Sequence, residues 1–215
     1  MLETKKFTLT VEGETERWYF LWLKDQINKI ESRKYNASIV AKVQQSPRSF
    51  YKSTNSKICP QAIHICDVES ADRSHIFRFE GILKEMAEAK KQKNIKYQLG
   101  YSNFAFELWI ILHKKDCFGS FFDRKQYLIP IQQCFNEKFE DLEYYKSEQV
   151  FKRCLAKLTI EDVKSAIIRA DKLALQNIKN NKTIVKYSGY SYYRENPALS
   201  VNEVVKRILT ECGII

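Results

Sequence analysis

The chain has 215 residues, of which 44% are hydrophobic and 29% charged, a composition that argues against a disordered chain and is typical of a globular protein. No apolar run approaches the roughly 20 residues of a membrane helix, and no apolar signal segment follows the charged start, so we expect a cytoplasmic protein. The formal net charge of +10, from 36 basic and 26 acidic residues, favours a polyanionic partner such as nucleic acid and not a membrane.

The first half of the chain alternates predicted strands with predicted helices. Alternating apolar residues predict a strand over residues 5–11, and the helical spacing of apolar residues predicts a helix over 14–30. Further strands are predicted over 37–43, 62–66 and 95–99, and further helices over 76–93 and 105–113. Residues 44–61, with two prolines and many polar residues, are expected to form an exposed loop with little regular structure.

Strand signals largely stop in the second half of the chain, where two helices with capping signals are predicted. Thr159 and Asp162 have the spacing of a capping box before the apolar stripe of residues 161–178. Ser200 and Glu203 repeat that spacing before a second apolar stripe.

This order of elements predicts the α/β class. Strands that alternate with helices of these lengths form a mainly parallel sheet with helices on both faces. We place this core in residues 1–115 and a C-terminal helical elaboration, packed on the core, in residues 116–215.

Acidic residues follow two of the predicted strands. Glu12 comes directly after the first strand, with Gly13 to turn the backbone and Glu16 four residues further on. Asp67 and Glu69 follow the apolar strand that ends at residue 66. Ligands of open parallel sheets bind beyond the carboxyl ends of the strands, and neighbouring strands lie about 4.8 Å apart. Glu12 and Asp67 are therefore expected to converge on one site if their strands are adjacent.

Clustered carboxylates repel one another unless protons or cations compensate them. Mg²⁺ or Mn²⁺, which prefers oxygen ligands, is the cofactor that such a cluster predicts, and Glu12 is then suited to general acid or base catalysis. Zinc is not expected, because the six cysteines and three histidines show no ligand spacing. Two plain alternatives stay open: acids in a first helical turn are common caps, and Asp67 with Glu69 could simply solvate a loop.

Six segments carry a family resemblance: Val11-Glu12-Gly13-x-Thr15-Glu16, Asp67-x-Glu69, Ser102-Asn103-Phe104-Ala105-Phe106-Glu107-Leu108-Trp109 running to Leu112-His113, Tyr145-Lys146, Ala166-Ile167-x-x-Ala170 and Asn196-Pro197-Ala198-Leu199-Ser200-Val201. At these segments the sequence resembles the RloB family, the AbiLii-like abortive-infection proteins of the Toprim superfamily. The segments occur in the family's order, and the resemblance spans roughly residues 5–209. The glutamate segment and the Phe-Glu-Leu-Trp segment are its most specific parts.

The resemblance implies a Toprim Rossmann-like fold with a metal-dependent site. Glu12 and Glu16 are then the predicted catalytic residues, and Glu12, Asp67, Glu69 and Glu107 the predicted ligands of Mg²⁺ or Mn²⁺. Glu107 could equally cap its helix or pair with a lysine. The chain departs from the family's pattern where Glu69 replaces an aspartate, so Glu69 could bind the metal through water or not at all. It departs again at Phe104, where members often carry proline.

The biology that the resemblance implies is phage defence, because RloB-like proteins are associated with restriction–modification and defence loci. They often accompany an ATPase, which is the protein partner that we expect. The predicted function is metal-dependent cleavage of phosphodiester bonds in DNA or RNA.

A basic region in the second half of the chain is the predicted nucleic-acid surface. Residues 152–186 contain nine basic and three acidic side chains, and four tyrosines follow them. Basic side chains can neutralise phosphates, and tyrosines can stack on unpaired bases. The predicted contacts are Lys146, Arg169, Lys172, Lys186, Tyr190 and Arg194. The alternative is a solvated helix face followed by tyrosines that pack in the core.

Three other functions compete with nuclease activity. Nucleotidyl transfer by a Toprim centre ranks lower because no catalytic tyrosine or primase accessory module is recognisable. A haloacid-dehalogenase-like phosphatase would place an aspartate at position 69, where this chain has glutamate. A non-catalytic nucleic-acid-binding or regulatory subunit of an ATPase-linked complex is favoured by that same departure.

Overall fold

Four parallel strands form the central sheet of the computed structural model, which describes residues 2–215. The strands are β1 (Thr4–Val11), β2 (Asn36–Val43), β3 (Gln61–Val68) and β4 (Lys96–Asn103). Their order across the sheet is β2-β1-β3-β4, so β1 and β3 are neighbours. The four predicted strands and the α/β class with a parallel sheet are confirmed.

Helices cover both faces of this sheet. The first half of the chain contributes α1 (Glu14–Lys29), α2 (Pro47–Ser53), α3 (Arg73–Lys93) and α4 (Glu107–Leu112). Successive side chains of a strand point to opposite faces, and in β3 Ile63 and Ile65 join the apolar cluster that includes α1 and α4. Cys66 and Val68 join the cluster that includes α2 and α3.

The second half of the chain is mainly helical and packs against this core. It forms α5 (Leu128–Phe135), α6 (Leu142–Lys146), α7 (Glu148–Leu155), α8 (Ile160–Lys179) and α9 (Val201–Glu211), with the strands β5 (Ile184–Tyr187) and β6 (Tyr190–Tyr193). The helix α9 packs on β4, and α8 packs on α4. The division near residue 115 stays a prediction. Within residues 2–215, no helix combines the length and the apolar character needed to cross a membrane.

The segment 44–61, predicted as an irregular loop, contains the helix α2, so that part of the prediction is wrong. Ser46 caps the helix by accepting a hydrogen bond from the Ser49 N–H, and Pro47 has a fixed φ that suits a first helical turn. Phe50 and Tyr51 are buried in the cluster around α3. The polar composition of the segment gave no helical pattern, because this helix buries only one short apolar face.

The hairpin β5–β6 was also not predicted from the sequence. Ser188 and Gly189, with φ values of 49° and 87°, connect its two strands, and two residues with positive φ give the tight turn that fits the twist of a hairpin. Tyr192 on β6 is buried, and its ring packs edge-on against Phe79 of α3 at 4.9 Å between centroids. Strand signals therefore do not stop in the second half of the chain.

One of the two predicted capping boxes is confirmed and the other is wrong. Thr159 and Asp162 make the reciprocal hydrogen bonds of a capping box at the start of α8. Ser200 makes no capping bond to α9; its hydroxyl instead accepts from the Tyr101 N–H at 3.1 Å and donates to the Leu99 carbonyl. The Ser200 hydroxyl thus bonds to the backbone of the edge strand β4 and does not make the helix cap that the sequence predicted.

Close packing of α9 on β4 requires glycine at position 100. A Cβ atom there would lie 2.6 Å from Ile65 Cδ1 and 3.0 Å from Val204 Cγ2. We expect Gly100→Ala to lower the free energy of unfolding by about 1–3 kcal/mol, since an overpacked core must shift to make room. Urea denaturation monitored by circular dichroism measures this change.

The matched control is Gly81→Ala, since Gly81 is exposed in α3 and a Cβ there meets no atom within 4 Å. Alanine is the better helix former by about 1 kcal/mol, so this variant should be more stable than the wild type. Equal stability of Gly100→Ala and the wild type would contradict the packing argument.

Candidate functional site

Glu12 and Asp67 meet at the carboxyl edge of the sheet because β1 and β3 are paired in parallel. The register joins Leu9 to Ile63 and Val11 to Ile65, which brings the two following acids side by side. The Asp67 N–H donates a hydrogen bond of 3.1 Å to Glu12 Oε2. The convergence predicted from the two strand ends is therefore what the structure has.

Glu16 lies in the first turn of α1 and is buried. Its Oε2 accepts a hydrogen bond of 3.1 Å from the Thr15 hydroxyl. Gly13, which precedes the helix, leaves room for that carboxylate, since a Cβ at Gly13 would stand 3.0 Å from Glu16 Oε2. The partial positive charge at the start of the 16-residue helix α1 helps to hold an acid at this position.

Glu107 is, like Glu16, a buried acid of the site. It is fully buried at the start of α4, and Lys146 Nζ lies 3.1 Å from its Oε1 as an ion pair. Both carboxylate oxygens lack a hydrogen bond that satisfies normal geometry within residues 2–215. An unsatisfied buried carboxylate is costly, which is typical of a group kept for function.

The chain turns sharply between β4 and α4 to place Glu107. Phe104 has a φ of 54°, a left-handed conformation that is strained for a bulky residue and that proline cannot adopt. Asn103 braces the turn, since its Nδ2 donates hydrogen bonds to three successive carbonyls over residues 193–195. The Tyr127 hydroxyl donates to the Asn103 carbonyl at 3.0 Å.

The carboxylates shift one another's protonation. Burial raises the pKa of Glu12 from 4.5 to about 7; the Asp67 N–H opposes this shift, and the charge of Glu16 adds to it. Burial also raises the pKa of Asp67 well above its usual range, with further contributions from Glu16 and Glu12. The pKa of Glu16 is raised by burial and by the charge of Glu107. Such a cluster favours protons or cations.

Two basic side chains partly neutralise this charge. Burial alone would lower the pKa of Lys146, but the charges of Glu107 and Asp67 outweigh it and raise that pKa. Arg78, on α3, donates from Nη1 to Glu69 Oε1 at 2.8 Å. Glu69 Oε2 also lies 3.4 Å from His75 Nε2. Glu69 is thus held by two neighbouring bases.

An open cleft of about 320 Å³ exposes this cluster. Of the five acids assigned to the site from the sequence, all but Glu107 line it, and Lys146 lines it too. Arg78, Arg124 and Gln45 also line the cleft, and sequence reasoning missed them. The helical period of α3 could have placed Arg78 near the strand ends, but no local pattern marks Arg124 or Gln45.

The donor atoms fit a hard divalent ion better than a soft one, because carboxylate oxygens dominate the cleft. Glu12, Asp67 and Glu16 would hold such an ion, with Glu107 behind them. Within residues 2–215, no three His, Cys, Asp or Glu side chains are arranged as a ready-made coordination group. The acids are close enough to raise one another's pKa values. The site therefore suits a divalent ion in its donor atoms and its negative charge.

The residues predicted to bind nucleic acid are not gathered at the cleft. Lys146 belongs to the cleft, whereas the other five do not line it. Arg169 Nη1 donates to the carbonyls of Leu112 and His113 at 2.7 and 3.0 Å and so caps the end of α4. This engagement disfavours the phosphate contact assigned to Arg169, which stays a prediction.

Two of the remaining residues are occupied by neighbours, and two are free. Arg194 pairs with Glu80 at 3.4 Å, and half-buried Tyr190 packs with the cluster around α3. Lys172 and Lys186 are exposed, and their side chains have no ion pair within the described part of the chain. Nucleic-acid binding by these four residues likewise stays a prediction.

The raised pKa of Glu12 predicts a pH-dependent cost to stability. The folded state keeps a proton on Glu12 that the unfolded state releases above a pKa of 4.5, so the free energy of unfolding falls as pH rises from about 4.5 to about 7. Without metal, Glu12→Gln should remove this loss and be more stable than the wild type at pH 8, by about 1–3 kcal/mol. Urea denaturation at pH 4.5 and pH 8 in EDTA measures both proteins.

Glu14→Gln is the control, because Glu14 is exposed in the same turn and pairs with Arg17. It should keep the pH dependence of the wild type. An unchanged pH dependence in Glu12→Gln would mean that the Glu12 carboxylate is not destabilised by its surroundings.

Comparison with known proteins gives one match. The sequence model of the family described as "RloB-like protein" matches residues 7–208. No curated protein matches the chain, and no solved structure matches it. The family match covers almost the whole chain, and it includes the acids of the cleft together with Lys146, Arg78 and Arg124. The chain therefore belongs to the RloB-like protein family.

Proposed function

We propose that this chain is a divalent-metal-dependent nuclease with a Toprim-type centre that hydrolyses phosphodiester bonds in DNA or RNA. The observation that carries the proposal is the pair of acids at the ends of two adjacent parallel strands, joined by the bond from the Asp67 N–H to Glu12 Oε2. The cleft around them is open, and the net charge of +10 favours a polyanion. The proposed setting in phage defence, with an ATPase as partner, rests on the family resemblance alone.

Mg²⁺ or Mn²⁺ is the cofactor of the proposed reaction, held by Glu12, Asp67 and Glu16. When bound, such an ion supplies Lewis-acid polarisation of the phosphoryl oxygen and neutralises charge that develops on it. Lys146 lines the cleft and forms an ion pair with buried Glu107, so it offsets part of the negative charge of the site.

Glu12 is the proposed general acid and base. A carboxyl group whose pKa is raised to about 7 exchanges a proton efficiently near neutral pH. The Asp67 N–H donates to Glu12 Oε2 and fixes the orientation of the carboxyl group. In hydrolysis, the oxygen of water forms a bond to phosphorus as the bond to the leaving oxygen breaks. Glu12 gives its proton to that leaving oxygen, the attacking water releases a proton to solvent, and Glu12 regains its proton from solvent.

Neutral variants of the two strand-end acids test this function. We expect Glu12→Gln and Asp67→Asn each to lower Mn²⁺-dependent cleavage by at least about 10²-fold, the usual contribution of a positioned acid or base. The assay uses labelled single- and double-stranded DNA, RNA and tRNA, with circular dichroism to verify folding. Glu148→Gln, an exposed acid on α7, is the control. Near-normal turnover in either folded strand-end variant would refute the assignment.

A non-catalytic nucleic-acid-binding subunit of a defence complex is the second candidate. It is favoured by the pairing of Glu69 with Arg78 and His75, which occupies a carboxylate that a metal site would use. No cleavage of any of these substrates by the wild type, with the partner ATPase present, would favour this reading.

Glu69 distinguishes a metal ligand from a partner of Arg78. If Glu69 holds the metal, Glu69→Asp should keep or raise activity, and Glu69→Ala should need more Mn²⁺ for both cleavage and thermal stabilisation. If Glu69 only pairs with Arg78, all three proteins should have superimposable Mn²⁺ titrations. Calorimetry measures how much the bound ion stabilises the protein, since an ion at a hundredfold excess over Kd raises the free energy of unfolding by about 2.7 kcal/mol. Because Arg78 already holds Glu69, we expect direct metal binding by Glu69 to be weak and the alanine shift to be smaller than that of Asp67→Asn.

A further inference from the structure

A second groove adjoins the acidic cleft, and we call it the side groove. It has a volume of about 640 Å³ and is lined by Arg124, Lys125, Leu128, Asp141, Leu142, Glu143 and Lys146. Arg124 and Lys146 line both the side groove and the cleft. The two depressions are therefore adjacent, with these basic side chains at their common border, and an extended ligand in one would reach the other.

The side groove supplies unpaired positive charge, whereas two bases of the cleft are already paired with acids. Lys146 is paired with Glu107 and Arg78 with Glu69. Arg124 is the remaining base of the cleft, and neither it nor Lys125 forms an ion pair anywhere in residues 2–215. Both side chains are exposed. A phosphate chain that approaches the acids would meet these free cations first.

The side groove also has two acids, Asp141 and Glu143, which equal Arg124 and Lys125 in number. Asp141 caps α6, where its Oδ1 accepts a hydrogen bond of 2.7 Å from the Tyr144 N–H, and Glu143 is exposed. Both acids reduce the attraction for a polyanion. Within residues 2–215 neither of them forms an ion pair with Arg124 or Lys125, so both bases remain available to phosphates.

The segment that carries Arg124 is braced against the site. Arg124 begins a short 3-10 turn that ends at Tyr127, and the hydroxyl of buried Tyr127 donates to the Asn103 carbonyl. The preceding residue, Asp123, closes a capping box with Gln126. Because Asn103 ends β4 directly before the turn to Glu107, the bases of the side groove and the acids of the cleft are held by the same scaffold.

Phe122 stands exposed on this braced segment. Its neighbour Phe121 packs on Tyr127 at 4.7 Å between ring centroids, and the backbone N–H and carbonyl of Phe121 bond to the side chain of Asn196. Phe122 is nevertheless 91% exposed, two residues before Arg124. Phe122 does not line the side groove itself, but it is close in sequence to the bases that do. Proteins that bind single-stranded nucleic acids combine exposed aromatic rings, on which bases stack, with basic side chains that contact phosphates.

We propose that the side groove binds a single-stranded segment of nucleic acid, with Arg124 and Lys125 on its phosphates and Phe122 stacked on an unpaired base. This proposal rests on the proposed nuclease function and names the form of its substrate. A base within a duplex is already stacked on both sides, so only an unpaired base offers a face to Phe122. The strand then continues past Lys146 towards Glu12 and Asp67.

The test measures binding without cleavage, in EDTA, by fluorescence anisotropy of short labelled oligonucleotides. The probes are single-stranded DNA, single-stranded RNA and the matching duplexes. Removing two phosphate contacts flattens the plot of log Kd against log[salt] by about 1.4 for a single strand. We expect Arg124→Ala/Lys125→Ala to show this change, and Glu143→Gln, which removes a negative charge from the same groove, to tighten binding.

The control is Lys90→Ala/Lys91→Ala, which removes the same charge from the exposed end of α3. Those lysines precede β4 and so lie at the opposite end of the sheet from the cleft. Their salt dependence should match that of the wild type. A slope that changes only in this control, or in neither variant, would overturn the proposal.

Phe122 separates stacking from charge. We expect Phe122→Ala to weaken single-strand binding by about tenfold, Phe122→Trp to keep it, and Phe122→Leu to behave like alanine, because leucine is apolar but has no ring face. Duplex binding should change little in all three variants. Equal affinity of Phe122→Ala and the wild type for single strands would refute the stacking contact.

These binding results are independent of catalysis. If the groove variants lose single-strand affinity while the wild type cuts nothing with Mn²⁺, the side groove stands and the nuclease proposal falls. If the wild type cuts its substrate while the groove variants bind normally, the nuclease stands and the side groove is refuted. Absence of any nucleic-acid binding by the wild type would refute the side groove as well.

Discussion

Burial of several acids at one edge of the sheet is the constraint on which the rest of the site depends. The pairing of β1 with β3 places Glu12 and Asp67 side by side, and Glu16 and Glu107 close around them from α1 and α4. Each carboxylate raises the cost of ionising the next. Helix α1, the Asp67 N–H and Lys146 offset part of this cost. The negative charge that remains favours the binding of a cation in the cleft.

The sequence predicted the sheet and the two strand-end acids because these features are local. Alternating apolar residues reveal a strand, and an acid that follows a buried strand is visible without knowledge of the fold. The predicted convergence of Glu12 and Asp67 required β1 and β3 to be neighbours, which the sequence alone did not establish. Strand order depends on contacts between residues far apart in the chain. Asp67 also lies within β3 rather than after it, because backbone pairing with β4 continues past the apolar run.

The features that the sequence did not predict depend on long-range contacts. Helix α2 is polar apart from one short face that is buried by α3. The hairpin β5–β6 is stabilised by Tyr192 packing on Phe79, more than a hundred residues earlier in the chain. We predicted Arg169 as a phosphate ligand because its charge is visible in the sequence. Its hydrogen bonds to the end of α4 are not visible there. Lys146 was assigned to the nucleic-acid surface, and its buried partner Glu107 lies 39 residues away along the chain.

The bracing of Asn103 has a consequence for the order in which the site is built during synthesis. The strand-end acids are made early, but the carbonyls that hold the Asn103 side chain come from residues 193–195. The lysine that compensates Glu107 comes from residue 146. Domains form as the chain emerges, with the N-terminal part first, so the sheet can assemble while the turn to Glu107 is still unsupported. A ribosome-bound chain that stops before residue 195 thus has its acids but not the scaffold that fixes them, and the cleft is complete only after residues 193–195 have been made.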